Sequence, residues 1–105
     1  MGKKAGDVLI LELKNLSIIA DYFVICSGES TTQVKAIFGA IEENFSKRRI
    51  RPIGIEGLTH GHWVLIDYGD VIIHIFEEET RAYYQLEKLW LDAPRIPVEE
   101  KGYHR

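Results

Sequence analysis

The chain has 105 residues, a net charge of −3 with histidine neutral, and 46% hydrophobic and 28% charged residues, the profile of one soluble globular domain. The acidic balance argues against a general nucleic-acid binder, which would be basic, and is compatible with a basic protein partner. One cysteine, Cys26, rules out an internal disulfide and suits a reducing cytosol, while no apolar stretch is long enough to span a membrane.

Met1 to Lys4 leads into a strand-like run and not into a signal peptide. "DVLILEL", Asp7 to Leu13, is that run, short and mostly apolar, and reads as a buried strand. "NLSIIA" follows as a turn or a short pairing segment. "DYFVICSG", Asp21 to Gly28, is a second buried strand, rich in aromatic and β-branched residues. Ser30 with Gln33 three residues on forms a capping box, and Val34, Ile37, Phe38, Ile41 and Phe45 make an apolar stripe at helical spacing. That helix ends in Lys47, Arg48 and Arg49, cations suited to its negative end. "RPIGIEG", Arg51 to Gly57, reads as an edge strand because Pro52 cannot donate to a ladder.

"WVLIDYGDVIIHIF", Trp63 to Phe76, is a hairpin closed by Gly69-Asp70. Pairing Tyr68 with Val71 sets Ile66 against Ile73 and Val64 against Ile75 on one aliphatic face. Asp67 then opposes Ile72, Leu65 opposes His74, and Trp63 opposes Phe76 on a chemically mixed face. A last helix is expected from about Glu78 to Leu91, with Tyr83, Leu86, Leu89 and Trp90 inward and Tyr84 near the edge of that face. Pro94 stops it, and residues 95–105 read as a loose tail after a single domain over 1–94. The order β, β, α, β, β, β, α predicts an α/β protein with a mixed β-sheet packed with helices.

Four groups of residues are candidates for chemistry. His60, His62 and His74 match no strong metal-ligand template, so loop and sheet histidines are the plainer reading and no metal is expected. Asp67 and His74 are diagonal neighbours in the hairpin, but no nucleophile is placed beside them, so a polar pair fixing the hairpin is favoured over an oriented general base. "CSGES", Cys26 to Ser30, could hold a phosphate at a helix N-terminus, yet it lacks the lysine and second glycine of a P-loop, and ordinary capping explains it. Lys47 to Arg51 reads first as a solvated helix end and second as a minor contact with RNA phosphates.

"DYFVICSGES", "PIGIEG", "WVLIDYGDVIIHIF" and "RAYYQLEKLW" followed by "DAP" resemble, in the right order, the ribosomal silencing factor family, also called Iojap-like. The resemblance runs from about Lys4 to Pro94. Sequences of that family usually begin with a helix, and only Met1 to Gly6 precede the first strand here, so that helix is expected to be missing. The resemblance implies a nucleotidyltransferase-like topology without the catalytic carboxylates, since no Asp-x-Asp pair follows the capping helix to hold metal ions.

It further implies no enzyme activity and no cofactor. It implies docking, in the cytoplasm, on a large-subunit ribosomal protein at the subunit interface. The bound factor obstructs joining of the small subunit and represses translation when nutrients are short; organelle relatives are linked to large-subunit assembly. Partner-binding residues are expected at Glu56, Trp63, Asp67, Asp70, His74 and Phe76, on the mixed face and its rim, with Trp63 as the anchor. Apolar surface left open without the leading helix is expected to favour a homodimer. The rival from another class is a nucleotide-binding, nucleotidyltransferase-like protein using Ser27, Ser30, Asp67 and Asp70.

Overall fold

The computed structural model describes residues 5–98. Its elements are β1 (Gly6–Glu12), β2 (Tyr22–Gly28), α1 (Thr31–Lys47), β3 (Gly54–Glu56), β4 (Trp63–Asp67), β5 (Val71–Glu77), α2 (Glu78–Tyr84), a 3-10 helix (Leu86–Trp90) and β6 (Arg95–Ile96). The strands form one sheet in the order β3-β4-β5-β2-β1-β6. β2 and β5 run parallel at its centre and the other pairings are antiparallel. This is the mixed α/β sheet that the element order predicts. The two central strands are covered on both faces, which is why they read as nearly unbroken apolar runs.

The hairpin has the predicted register, from Asp67 opposite Ile72 to Trp63 opposite Phe76. Tyr68 N–H donates to the Val71 carbonyl at 2.9 Å, and Gly69 takes φ 93°. A positive φ at the first central residue is the II′ geometry, whose twist matches the strands it joins. Gly57, at φ 81°, passes so close to the Trp63 carbonyl that a Cβ there would collide with it. Only glycine lets the loop before β4 lie against the start of that strand.

α1 starts as predicted, with the Ser30 hydroxyl accepting from Gln33 N–H at 3.1 Å. Its stripe packs Val34 and Ile37 onto Val64, Ile66, Ile73, Ile75 and Cys26, with Phe38, Ile41 and Phe45 at the margin. Full burial of side chains of this size is worth roughly 1.5–3 kcal/mol each, far above the cost of Gly39 within the helix.

The other sheet face is a second core and not an open surface. Leu11, Phe23, Ile25, Ile72 and Phe76 lie there under Leu86 and Trp90. The expected single C-terminal helix is broken: Gln85 adopts a left-handed φ of 50° between α2 and the 3-10 helix. That bend turns Leu86 and Trp90 onto the sheet while Tyr83 and Leu89, predicted to face inward, remain 80% and 73% exposed. An unbroken helix leaving β5 would carry the last turn along its own axis and not back over the sheet. The tail expected from residue 95 is also corrected at its start. Arg95 and Ile96 form β6 and pair with Leu11 and Ile10, because β1 would otherwise present an unpaired edge. The rest of that expectation, residues 99–105, lies outside the described residues.

Candidate functional site

The end of the hairpin where Trp63 begins β4 and Glu77 ends β5 gathers most of the aromatic surface. Trp63 is half-buried. Its ring packs on Phe76 with centroids 4.6 Å apart and on Tyr84 at 5.1 Å. Tyr84 in turn meets Tyr83 edge-on at 5.0 Å. The two tyrosines are 56% and 80% exposed. Three acids stand at the start of the helix that carries the two tyrosines. Glu77 accepts from Thr80 and lies 2.8 Å from His62 Nδ1, and Glu78 and Glu79 occupy the exposed first turn of α2.

Trp63 is held from below. Its indole Nε1–H donates to His74 Nδ1 at 3.1 Å, so the neutral imidazole carries its proton on Nε2. His74 is 3% exposed and sits 4.6 Å from the Phe23 ring. Burial lowers its pKa to about 4, because an imidazolium there would lose its hydration. Protonation would also put a second donor against the indole N–H. Burial likewise pushes the Cys26 thiol up to about 11, which keeps it in the unreactive thiol form.

The six predicted partner residues fall in three places. Glu56 is exposed on β3 opposite Leu65, a diagonal neighbour of Trp63, so these two come together. His74 and Phe76, at 3% and 0% exposure, lie inside the second core. They are corrected from contacts to supports, since neither offers surface to a partner. Both occupy the mixed face as read, but the C-terminal segment closes over it. Asp67 and Asp70 are at the opposite end of the hairpin. Asp67 is four residues from Trp63 along β4, roughly 13 Å, and its carboxylate accepts from Gly69 N–H at 2.8 Å, which fixes the turn. That bond replaces the expected Asp67–His74 pair.

Tyr83, expected on the inner face, is instead at the surface, and Tyr84, expected near the edge of that face, is more than half exposed. The adjacent Tyr83-Tyr84 pair carried a signal, because neighbouring helical residues stand about 100° apart and cannot both face the sheet.

The nucleotide-site constellation is not assembled either. β2 and β5 are parallel, with Tyr22 beside Val71 and Ser27 beside Phe76. Asp70, just before β5, therefore lies some six residues from Ser27, roughly 20 Å. Ser27 Oγ is bound by Arg81 at 2.7 Å and Ser30 by its own helix. Among the described residues no three His, Cys, Asp or Glu side chains are grouped to hold a metal.

Known proteins resemble the whole chain. The family model described as "Ribosomal silencing factor during starvation" matches residues 1–105. Ribosomal silencing factor RsfS of Bacillus subtilis is 46% identical over 92 residues, covering 88% of this chain and 78% of that protein. A mouse protein, "Mitochondrial assembly of ribosomal large subunit protein 1", is 33% identical over 84% of this chain and 40% of its own length. A crystal structure from Bacillus halodurans superposes with a TM-score of 0.80 at 42% identity, covering 91% of this chain and 87% of that one. Taken with the hairpin and the "YYQLEKLW" segment, which carry the sequence resemblance, these matches establish that the chain belongs to the ribosomal silencing factor family.

Proposed function

We propose that this protein is a non-enzymatic translation repressor of the cytoplasm that docks on a basic protein of the large ribosomal subunit and sterically blocks joining of the small subunit. The observation that carries the docking surface is the exposed Tyr83–Tyr84 ledge over Trp63, with Glu77 to Glu79 at the start of the same helix and Glu56 on β3 diagonal to Trp63. Aromatic side chains held in place lose little entropy on binding and are enriched among interface hot spots. The acids supply the charge match to a basic partner and speed encounter. Lys47 to Arg51 stay in the proposal as a minor contact with ribosomal RNA, being exposed around the end of α1.

Sedimentation of purified subunits tests this. The protein should co-sediment with large subunits and reduce joining as it is added, and unchanged joining at saturation would overturn the repressor reading. Tyr84→Ala should weaken large-subunit binding by about 2 kcal/mol, a hot-spot loss of roughly thirtyfold, while thermal unfolding moves little because the ring is more than half exposed.

The mouse relative's role in assembling the large subunit favours a second reading, an assembly factor using the same surface. Depleting the protein separates the two: a repressor leaves large subunits mature, whereas an assembly factor leaves precursors. Self-association at high concentration is also proposed. It is supported by Leu16, Leu89 and Leu91, which are 45–73% exposed around one groove, and light scattering across a concentration series reads it.

A further inference from the structure

The docking ledge leaves one built feature unused. At the carboxyl ends of β2 and β5 lies a cleft of about 470 Å³, within the size range of small-molecule sites. The ends of parallel strands are where α/β sheets commonly take ligands. Its inner wall is Ser27, 3% exposed. Arg81 is clamped across it: Nη1 donates to Ser27 Oγ at 2.7 Å and to the Asp7 carbonyl at 2.8 Å, and Nε donates to Glu87 Oε2 at 3.4 Å. The other carboxylate oxygen, Glu87 Oε1, is buried with no hydrogen-bond partner. The carboxylate's charge is paired with Arg81, but a buried oxygen left without a hydrogen bond is costly, so Glu87 has acceptor capacity to spare.

The backbone around the cleft is strained as well. Asp7 and Gln85, at φ 49° and 50°, both line it, and a register shift in β1 between Gly6 and Leu9 brings Asp7 there. Left-handed non-glycine residues persist only where their surroundings hold them, and they cluster at binding sites. The charges narrow the ligand class. Asp7, Glu78 and Glu87 face Arg81 and Lys88, an excess of one negative charge. A polyphosphate would meet three carboxylates. A simple cation would satisfy Glu87 and leave Lys88 with no counter-charge from the ligand. A molecule with an ammonium and a carboxylate a few ångströms apart answers both.

We propose that the cleft framed by Ser27, Arg81, Glu87 and Lys88 binds a small zwitterion of the α-amino acid class. Its ammonium pairs with the Glu87 carboxylate, whose side chain is partly open to the cleft, and its carboxylate takes Lys88 Nζ and the remaining guanidinium hydrogens of Arg81. The cleft shares Glu78 with the docking surface, but its test reads small-molecule binding alone and does not rest on the docking proposal.

The test is amide-resolved NMR of the full chain, titrated separately with glycine, L-leucine, L-glutamate, L-arginine, putrescine and inorganic phosphate. Saturable shifts confined to residues lining the cleft are expected with at least one amino acid and not with phosphate. Glu87→Gln should weaken that binding at least tenfold, the scale of a hydrogen bond to a charged group. Should Glu87→Gln unfold the protein, the exposed Lys88→Ala decides, with an expected loss of severalfold. The proposal is overturned if no amino acid gives a saturable shift by about 10 mM, the weak end of ligand affinity. It is overturned equally if only putrescine or phosphate binds, or if folded variants bind as well as the parent.

Discussion

Trp63→Ala should destabilise the protein by about 3 kcal/mol, the low end of the cost of truncating a large core aromatic because one edge of the ring is open. For a domain of this size that is a fall of roughly 15 °C in Tm. Three losses add up. The indole leaves a gap between Phe76 and Tyr84. His74 Nδ1 is left a buried acceptor without its donor. Tyr84 loses the ring it rests on, so the docking ledge loosens with the core. Trp63→Phe separates these effects: it keeps a ring in the gap but removes the N–H, and should cost about 1 kcal/mol. Denaturant unfolding of the three proteins, followed by circular dichroism, checks the order. A loss below about 1 kcal/mol for Trp63→Ala would mean that the ring is not part of the core. Large-subunit binding measured on the same preparations should fall for Trp63→Ala together with stability, whereas Tyr84→Ala lowers binding alone. That split is the expected result if the indole supports the proposed interface and the tyrosine meets the partner.

Mild acid should produce the second large effect. His74 is held at a pKa of about 4 in the folded protein against about 6.5 in an unfolded chain. Between those values the unfolded state binds the proton and the folded state does not, so stability rises with pH across the window. The stabilisation is complete above pH 6.5 and is lost progressively as the pH falls toward 4. The full span is worth about 3 kcal/mol. His74→Gln retains a hydrogen-bond acceptor for the indole and cannot titrate there, so its unfolding free energy should lose this slope between pH 6.5 and 4. Denaturant melts at half-unit pH intervals measure it. Parallel curves for the parent and His74→Gln would show that His74 does not carry the acid sensitivity.

How much could be read from the chain varies by element. The hairpin was legible to the residue because Gly69 admits the turn and two alternating patterns meet around it, so one register puts Val64, Ile66, Ile73 and Ile75 on one aliphatic face. The start of α1 was legible for a similar reason, since Ser30 and Gln33 act within one turn. The candidate site was less so. Glu56 lies opposite Leu65, diagonal to Trp63, but Phe76 and His74 lie in the core, and Tyr83 and Tyr84 are exposed. A mixed strand face does not reveal whether it meets water, a partner or the chain's own later residues. That depends on where a segment ten to twenty residues further on folds back.

The sequence by itself determined the elements whose signals are local: the two central apolar strands, the capped helix with its stripe, the hairpin register, and the family motifs in their order. Tertiary structure alone decided the break at Gln85, the closing of Leu86 and Trp90 over the mixed face, the pairing of Arg95–Ile96 with β1, and the clamp of Arg81 on Ser27. Each of these joins residues distant in the chain or costs local strain, and long-range burial and hydrogen bonding outweigh that cost. A left-handed glutamine has little to favour it locally. It is stable here because the turn it makes brings a tryptophan and a leucine onto the sheet.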